Sequence, residues 1–194
     1  MITHNVPDFD VLWRDLLERS RRLAIPIVQD YHELEHVYNL VKDCESYLEV
    51  GTAEGNSLYV IAHAIKPWAR TVYIDLGEPH TTPARNEVLD RIAKTARLRP
   101  IGIHGDSNDH ATLEKLRDEH FDAVFIDAGH TYDNVRIDAN FYGSLANKYI
   151  IFHDVCLPDV RRAFDEYCKI RSDCQHYMIK NSSTYGYGIL EVIK

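Results

Sequence analysis

The sequence has few cysteines, few basic residues and no long apolar run, and each shortage excludes a class of protein. Its 194 residues include four cysteines without a CxxC pair, so neither a disulfide framework nor a zinc site is indicated. Lysine and arginine number 22 against 30 acidic residues and form no basic runs, which argues against a nucleic-acid partner. Apolar runs such as YIIF are too short to cross a membrane, and the N-terminus does not resemble a signal peptide. We therefore expect a cytoplasmic protein with reduced cysteines and without a nucleic-acid or membrane partner.

Short β-type runs alternate with helical stretches along most of the chain. Apolar residues at helical spacing first predict two helices, over residues 8–22 and 29–42. The alternation that follows predicts strands at 46–50, 71–75, 100–105, 122–127 and 148–154, and helices at 55–66, 84–97, 109–119, 131–142 and 158–170. Two last β runs, 175–180 and 185–193, leave no room for a helix between them and are expected to form an antiparallel hairpin.

This order of elements predicts an α/β fold with a doubly wound, mostly parallel, Rossmann-like sheet. Near-continuous apolar strands indicate a parallel sheet buried on both faces, and right-handed crossovers then place helices on both sides. The C-terminal hairpin adds antiparallel pairing at one edge of this sheet. The length suits a single domain, in which residues 1–43 form N-terminal helices and residues 44–194 form the Rossmann-like core.

An acidic residue stands at or just beyond the end of each predicted parallel strand. In chain order these residues are Glu49, Asp75, Asp106, Asp127 and Asp154. The carboxyl ends of the strands form the ligand-binding edge of such a sheet. A single aspartate after a strand is usually a helix cap, but an acid after every strand favours a ligand with hydroxyl groups, amines and positive charge.

The stretch LEVGTAEGNS, residues 48–57, follows the first strand but lacks the features of a phosphate-binding turn. Its glycines are spaced GxxxG rather than GxGxxG, the Lys-Ser/Thr pair of a P-loop is missing, and Glu54 inside the turn repels phosphate. Gly51 allows the backbone to turn sharply, and Gly55 allows a close approach at the start of the next helix. The turn therefore predicts a ligand other than a phosphate.

The acids near this turn match the parts of one such ligand. Glu49 can face an ammonium group, and Asp75, 20 residues after Gly55, can accept two ribose hydroxyls. Asp106, with Ser107 beside it, can accept a hydrogen bond from an adenine amine. A ligand with an ammonium, a sulfonium, a ribose and an adenine but no phosphate is S-adenosylmethionine.

Two stretches of the sequence resemble a known family. YLEVGTAEGNS, at residues 47–57, is similar to the first motif of class I S-adenosylmethionine-dependent methyltransferases. Residues 121–155, which contain FIDAGHTY and FHDV, resemble a narrower group of small-molecule and sugar O-methyltransferases whose fourth strand ends in FIDxxHxY. The resemblance covers about residues 29–193 and implies one methyltransferase domain with a seven-stranded sheet. It also implies O-methylation of a small hydroxylated acceptor, such as a sugar or natural product.

The resemblance assigns the cofactor to the acidic rim and the glycine turn. Glu49 and the turn are expected to hold the methionine part, while Asp75 binds ribose and Asp106 binds adenine. The full set of expected cofactor-binding residues is Glu49, Gly51, Thr52, Gly55, Ser57, Asp75, Asp106, Ser107 and Asp127.

Asp127 and His130 are the expected catalytic residues. Methyl transfer to oxygen requires an acceptor in line with the sulfonium methyl and a group that removes the hydroxyl proton. A histidine, with an ordinary pKa of about 6.5, suits a general base near neutral pH. The group that the chain resembles uses the Asp of such an Asp-x-x-His pair as a metal ligand and the His as the base. The alternative interpretation is that His130 caps the following helix or packs against Tyr132.

Asp127, His153 and Asp154 are the candidate metal ligands. Related metal-dependent enzymes have an acidic residue followed by Asp or Asn where this chain has His153-Asp154, so the histidine departs from the pattern. Three possibilities stay open. In the first, Asp127 and Asp154 alone hold Mg²⁺ together with more water molecules. In the second, the imidazole shifts the metal preference to manganese or iron. In the third, no metal binds and His153 positions the acceptor.

Two other functions fit parts of the sequence. A nicotinamide-dependent oxidoreductase uses a similar sheet, although the GxxxG spacing and Glu54 count against it. A module that binds S-adenosylmethionine without methyl transfer is left open by the departure at His153. The chain is also short for the group and shows no evident lid, which leaves open a homo-oligomer in which a second copy completes the acceptor pocket.

Overall fold

Helices and strands alternate along the chain as the sequence predicts. The computed structural model describes residues 7–77, 83–181 and 185–193. Its helices are α1 (Phe9–Leu23), α2 (Tyr31–Leu40), α3 (Asn56–Ala64), α4 (Pro83–Thr95), α5 (His110–Leu113), α6 (Tyr132–Tyr142) and α7 (Pro158–Ile170). Its strands are β1 (Ser46–Val50), β2 (Arg70–Asp75), β3 (Ile101–His104), β4 (Phe121–Ile126), β5 (Ala146–Phe152), β6 (Cys174–Ile179) and β7 (Tyr187–Val192). Short 3₁₀ helices follow α5 and α6, at Glu114–Leu116 and Gly143–Leu145.

The predicted helix over residues 109–119 differs most from expectation. It consists of one α-helical turn, α5, followed by a 3₁₀ turn. Thr112 and Leu116 are its buried side chains, and the residues that follow are polar and mostly exposed. A segment with so little apolar surface gains little from packing, so it does not extend into a full helix. The turn predicted between β6 and β7 lies, apart from Asn181, outside the described residues.

The strands form one seven-stranded sheet in the order β3-β2-β1-β4-β5-β7-β6. Strands β1 to β5 pair in parallel, and β7 is antiparallel to both of its neighbours, β5 and β6. The predicted fold class, a doubly wound and mostly parallel sheet with a C-terminal antiparallel hairpin, is confirmed. The chain runs outward from β1 to β2 and β3 on one side, while β4 lies on the other side. A crevice therefore opens between the carboxyl ends of β1 and β4.

Each face of the sheet carries its own apolar core. Successive side chains of a strand point to opposite faces, so Tyr47 of β1 belongs to one core and Leu48 to the other. Helices α1 to α4 cover the first face, where Leu34 is fully buried. Helices α6 and α7 cover the second face, where the rings of Phe152 and Phe164 meet at 5.4 Å. Strands buried on both sides give the side chains at their carboxyl ends a rigid support.

The two N-terminal helices pack on the first core. Asp8 caps α1 by accepting from the Asp10 amide, and Asp30 caps α2 by accepting from the His32 and Glu33 amides. Buried residues of both helices belong to the same cluster as residues of β1 and β4: Phe9, Leu12, Leu16, Leu34 and Val37. The boundary at residue 43 stays a prediction, because α1 and α2 share this core with the sheet. Within the described ranges, no helix combines the length and the apolar character that crossing a bilayer requires.

Candidate active site

The carboxyl ends of the central parallel strands surround a cavity of about 290 Å³. Asp75 ends β2, Asp106 lies beyond β3, and Asp127 follows β4, and all three line the cavity together with Gly51 and Ser107. Among the described residues that line it there is no lysine, arginine or histidine. The structure therefore brings most of the predicted cofactor-binding residues to one site, and the charged side chains in its described lining are all acidic.

Gly51 allows the chain to turn between β1 and the cavity. Its φ is +86°, and a Cβ atom there would lie 2.3 Å from the backbone oxygen of Asp127. Gly55, with a φ of +77°, is the N-cap of α3, and a Cβ atom there would lie 3.0 Å from Val88. The sharp turn and the close approach that the sequence predicts at these two glycines are therefore both present.

Asp75 fixes the glycine turn from the neighbouring strand. Its Oδ2 accepts hydrogen bonds from the amides of Thr52 at 3.0 Å and Ala53 at 2.8 Å, and its Oδ1 pairs with Arg85 at 2.7 Å. Burial opposes the ionisation of Asp75, but the Arg85 guanidinium and the two amides outweigh it and hold the pKa below its ordinary value. Asp75 is therefore ionised at neutral pH, and it shapes the turn in addition to lining the cavity. Arg85, which is fully buried, is a partner that the sequence did not reveal.

A buried carboxyl group of α6 holds the loop that carries Asp106. Asp138 Oδ1 accepts from Asn108 Nδ2 at 2.7 Å, and its Oδ2 accepts from Ser107 Oγ at 3.3 Å. Tyr142 donates to the carbonyl of Ser107 at 2.7 Å. Burial raises the pKa of Asp138 to about 7. Sequence reasoning missed Asp138, although an acid on the apolar face of a predicted helix was the available signal.

We expect Asp138→Asn to remove a pH-dependent loss of stability. Folding raises the Asp138 pKa from 3.8 to about 7, so the folded protein binds this proton more tightly than the unfolded chain does. The free energy of unfolding therefore falls as the pH rises between these two values. The difference in the free energy of unfolding between the asparagine variant and wild type, measured with urea, should therefore shift in favour of the variant by on the order of 3 kcal/mol from pH 5 to pH 8.

Asp133→Asn is the control for this measurement, because Asp133 lies on the same helix with 77% of its side chain exposed. Its stability relative to wild type should stay constant between the two pH values. An equal change for both variants would show that the effect does not come from the buried carboxyl group of Asp138.

Two histidines and two aspartates meet at the carboxyl ends of β4 and β5. His153 Nδ1 lies 3.0 Å from Asp127 Oδ1 and 3.3 Å from Asp154 Oδ2. His130 Nε2 lies 3.0 Å from Asp154 Oδ2 and 3.7 Å from Asp127 Oδ1. His153 is buried, whereas 45% of the His130 side chain is exposed. The residues predicted for catalysis and metal binding therefore form one cluster, which borders the cavity through Asp127.

Both imidazoles of this cluster favour their protonated form. Hydrogen bonds to Asp127 and Asp154 raise the pKa of His130 to about 9. Burial opposes the protonation of His153, but the two carboxyl groups outweigh it and raise its pKa to about 10. Burial likewise opposes the ionisation of Asp154, but the two histidines hold its pKa well below its ordinary value. In the free protein, both histidines are therefore mainly protonated at neutral pH.

The interpretation of His130 as a helix cap is wrong. Thr131 caps α6, because its Oγ1 accepts a hydrogen bond from the Asn134 amide at 3.4 Å. Tyr132, the other suggested partner of His130, donates its hydroxyl hydrogen bond to Glu166. The contacts of His130 described above are with acids of the site.

The C-terminal hairpin forms one wall of this cluster. Glu33 of α2 is fully buried and accepts hydrogen bonds from the amides of Asn181 at 2.8 Å and Gly186 at 3.0 Å, which flank the β6–β7 connection. Tyr185 stacks on the His153 imidazole, with ring centroids 5.9 Å apart and 15° between the planes. Sequence reasoning missed Glu33, because its partners are distant along the chain. The aromatics of YGYG, residues 185–188, suggested either a pocket wall or sheet packing, and Tyr185 stacks on the His153 ring.

Glu49 lies beneath the glycine turn rather than in the cavity. It is fully buried, and it accepts hydrogen bonds from the hydroxyls of Tyr47 at 2.6 Å and Ser57 at 3.2 Å. Burial raises its pKa to about 8, so its carboxyl group is mainly neutral at pH 7. The predicted direct contact between Glu49 and an ammonium group therefore does not match this geometry, because the side chain points into the first core and supports Ser57.

The chemistry of Asp127, His153 and Asp154 fits a divalent metal ion. Each offers a ligand atom, and these atoms lie within 4.8 Å of one another. Two carboxylates and one imidazole suit manganese or iron better than magnesium, which prefers oxygen ligands. In the described part of the chain, Nε2 of His153 is buried without a hydrogen-bond partner, whereas metal-bound imidazoles usually donate through their second nitrogen. The ligand atoms are thus suitable, although that additional support is missing.

The strand order, the GxxxG turn at the crevice and the acidic rim together form the architecture of a class I S-adenosylmethionine-dependent methyltransferase. A family model described as a methyltransferase domain matches residues 48–155, more than half of the chain, and the protein belongs to this family. Its membership sets aside the nicotinamide-dependent oxidoreductase.

Solved structures with this architecture are similar over nearly the whole chain. The O-methyltransferase from Bacillus cereus in complex with SAH is 19% identical, with a TM-score of 0.73, and the match covers 97% of this chain and 92% of that one. The O-methyltransferase TomG from Streptomyces achromogenes, involved in tomaymycin synthesis and solved with SAM, is 18% identical, with a TM-score of 0.73 and coverages of 94% and 90%. A methyltransferase from Geobacter sulfurreducens is 18% identical, with a TM-score of 0.68 and coverages of 97% and 91%. Such identities establish a shared fold, and a comparison with curated proteins gives no match.

Proposed function

We propose that this methyltransferase transfers the methyl group of S-adenosylmethionine to an oxygen of a small hydroxylated molecule, such as a sugar or natural product. The observation that carries the proposal is the half-exposed imidazole of His130, which lies 3.0 Å from Asp154 beside the cavity. An oxygen acceptor needs a group that takes up its proton, and His130 in its neutral form is suited to this task. The Bacillus cereus protein and TomG, both described as O-methyltransferases, support oxygen as the acceptor atom.

The nucleoside of the cofactor is assigned to the larger cavity. Asp75 accepts ribose hydroxyls there, and Asp106 and Ser107 contact the adenine. The residues assigned to the methionine end are Gly51, Thr52, Gly55 and Ser57. This assignment is supported by the acidic lining, which contains no basic side chain among the described residues and therefore suits a cationic nucleoside better than a pyrophosphate.

His130 is the general base of the proposed reaction. A bond forms between the acceptor oxygen and the methyl carbon while the carbon–sulfur bond breaks, which yields a methyl ether and S-adenosylhomocysteine. The hydroxyl proton passes to Nε2 of His130, and the imidazolium that forms is stabilised by Asp154 and Asp127. Because only the neutral imidazole can accept this proton, the proton that His130 carries in the free protein must first pass to solvent.

In this proposal Asp127, His153 and Asp154 would hold a divalent ion of the manganese or iron type. His153 would bind it through Nδ1, the nitrogen that lies near both carboxyl groups, after that nitrogen has lost its proton. When bound, such an ion supplies positive charge that stabilises the developing oxyanion of the acceptor. A magnesium ion is the less favoured occupant because of the imidazole.

The proposal is tested by incubating the purified protein with S-adenosylmethionine and a panel of hydroxylated acceptors. We expect S-adenosylhomocysteine to form together with a product heavier by one CH₂ group, and we expect Asp75→Ala to weaken S-adenosylhomocysteine binding in calorimetry. Binding without turnover of any acceptor would favour the non-catalytic module. Absence of binding by wild type, for both the cofactor and its demethylated product at millimolar concentrations, would contradict the cofactor assignment.

The same assay decides among the metal possibilities. Activity should be lost in EDTA and restored better by Mn²⁺ or Fe²⁺ than by Mg²⁺. Unchanged activity in EDTA would refute the metal proposal but not the proposal of methyl transfer. His153 would then remain as a group that positions the acceptor.

A further inference from the structure

A smaller cavity of about 160 Å³ lies beside the larger one, and the two share Gly51 and Asp127. Its outer wall comes from the connection between α1 and α2, through Pro26, Val28 and Gln29, and its inner wall from the glycine turn and the start of α3. A ligand that occupies both cavities therefore passes the glycine turn, with one end against the strands and the other against the N-terminal segment.

Gln29, one of the residues that line this smaller cavity, has an unused hydrogen-bond acceptor. The residue is 8% exposed, and its Oε1 is buried without a hydrogen-bond partner in the part of the chain that the structure describes. A buried acceptor without a donor is unfavourable, and a donor on a bound ligand removes that cost. The described lining includes Glu54 and Asp127 but no lysine or arginine, so the donor that suits the cavity is a cation.

The segment that carries Gln29 is held in place by buried polar contacts. Asn56 Nδ2 donates to the carbonyl of Pro26 at 3.3 Å. Arg19, which is buried, donates to Asn56 Oδ1 at 2.5 Å and to the carbonyl of Glu54 at 2.7 Å. These bonds tie α1 and Pro26 to the glycine turn, so the segment that leads to Gln29 is held in place before any ligand arrives.

We infer that Gln29 Oε1 binds the ammonium group of the methionine part of the cofactor. This inference rests on the proposed cofactor site and deepens it, because it gives the ammonium group a partner in place of Glu49. Glu49 is buried beneath Ser57 and lines neither cavity. An amide oxygen accepts a hydrogen bond from an ammonium without adding another negative charge beside Asp127.

The test compares two ligands by calorimetry: S-adenosylhomocysteine, which has the amino-acid end, and 5′-methylthioadenosine, which lacks it. For Gln29→Met, the Kd of S-adenosylhomocysteine should rise about tenfold or more, because a hydrogen bond to a charged group is lost. The Kd of 5′-methylthioadenosine should stay within about twofold of wild type. Gln29→Glu keeps an acceptor at the same place, so it should retain the preference for S-adenosylhomocysteine and gives a second measurement if the methionine variant does not fold.

Gln175→Met is the matched control, since Gln175 is the other glutamine of the chain and lies exposed on β6. It should leave both ligand affinities unchanged. If Gln29→Met raised the Kd of both ligands equally, Gln29 would have a merely structural role and the inference would be overturned. Loss of the preference for S-adenosylhomocysteine in Gln29→Glu would overturn it as well. Failure of wild type to bind either ligand would instead refute the proposed cofactor site.

Discussion

Replacing His130 with glutamine is expected to lower kcat by about 10²–10⁴-fold while the Kd for S-adenosylhomocysteine stays within about threefold of wild type. Glutamine still reaches Asp154 with a hydrogen bond, so the cluster keeps its packing, but an amide does not take up the acceptor proton. His130 does not line the cofactor cavity, so cofactor affinity should not follow the rate. Steady-state kinetics and calorimetry on the same preparation measure the two quantities.

His110→Gln is the control for this prediction, because His110 lies on α5 with 85% of its side chain exposed. Its kcat should match that of wild type. A kcat within about threefold of wild type for His130→Gln would leave His130 as a structural partner of Asp154. Equal losses in rate and in S-adenosylhomocysteine affinity would mean that His130 organises the cavity rather than taking part in proton transfer.

The parts of the fold that the sequence predicts correctly are those with local physical causes. The central parallel strands β1, β2 and β4 are apolar runs that are largely buried, and such runs are recognisable without knowledge of their neighbours. The edge strand β3 is mostly exposed, so the expected burial on both faces does not extend to it. Strand direction then brings Asp75, Asp106 and Asp127 to one edge, because parallel strands end together. The glycines of the turn can also be predicted from a local cause, because the backbone has to turn where β1 ends.

The parts that the sequence did not predict depend on partners that are distant along the chain. Arg19 of α1 reaches the carbonyls of Glu54 and Ala84, and Glu33 of α2 holds the amide of Gly186. No local pattern specifies such pairs, because each depends on how helices and loops pack on the finished sheet.

Glu49 shows how one geometric detail changes a role that the sequence suggests. Its place near the end of β1 predicts a position at the rim, but alternation along the strand directs its side chain to the same face as Tyr47. It is therefore a buried, mainly neutral carboxyl group beneath the turn. Of the five rim acids, Asp75, Asp106 and Asp127 thus line the cavity, Asp154 pairs with the two histidines beside it, and Glu49 supports the turn from within the core.

Substituting Gly51 with alanine is expected to lower the free energy of unfolding by about 3 kcal/mol or more and to abolish cofactor binding. The φ of +86° is unfavourable for alanine, and the new Cβ atom would lie 2.3 Å from the Asp127 oxygen and 2.5 Å from the Ala128 Cα. These are backbone atoms, and hydrogen bonds fix them: the Gly51 amide donates to Ile74, and the Asp127 amide donates to Val50. Relief of the contact therefore requires β1 and β4 to separate at the crevice where the cofactor is proposed to bind.

Gly129→Ala provides the comparison, because Gly129 also lines the cavity but its added Cβ atom would meet the side chain of Asn134. Rotation of that side chain moves its Nδ2 and Cγ atoms away but leaves its Cβ atom at 2.9 Å, so we expect a loss of about 1–2 kcal/mol, smaller than for Gly51→Ala, and retained binding of S-adenosylhomocysteine. Urea unfolding and calorimetry on both variants measure the difference. If Gly51→Ala were as stable as Gly129→Ala and still bound S-adenosylhomocysteine, the close approach of β1 and β4 would not be what shapes the cofactor site.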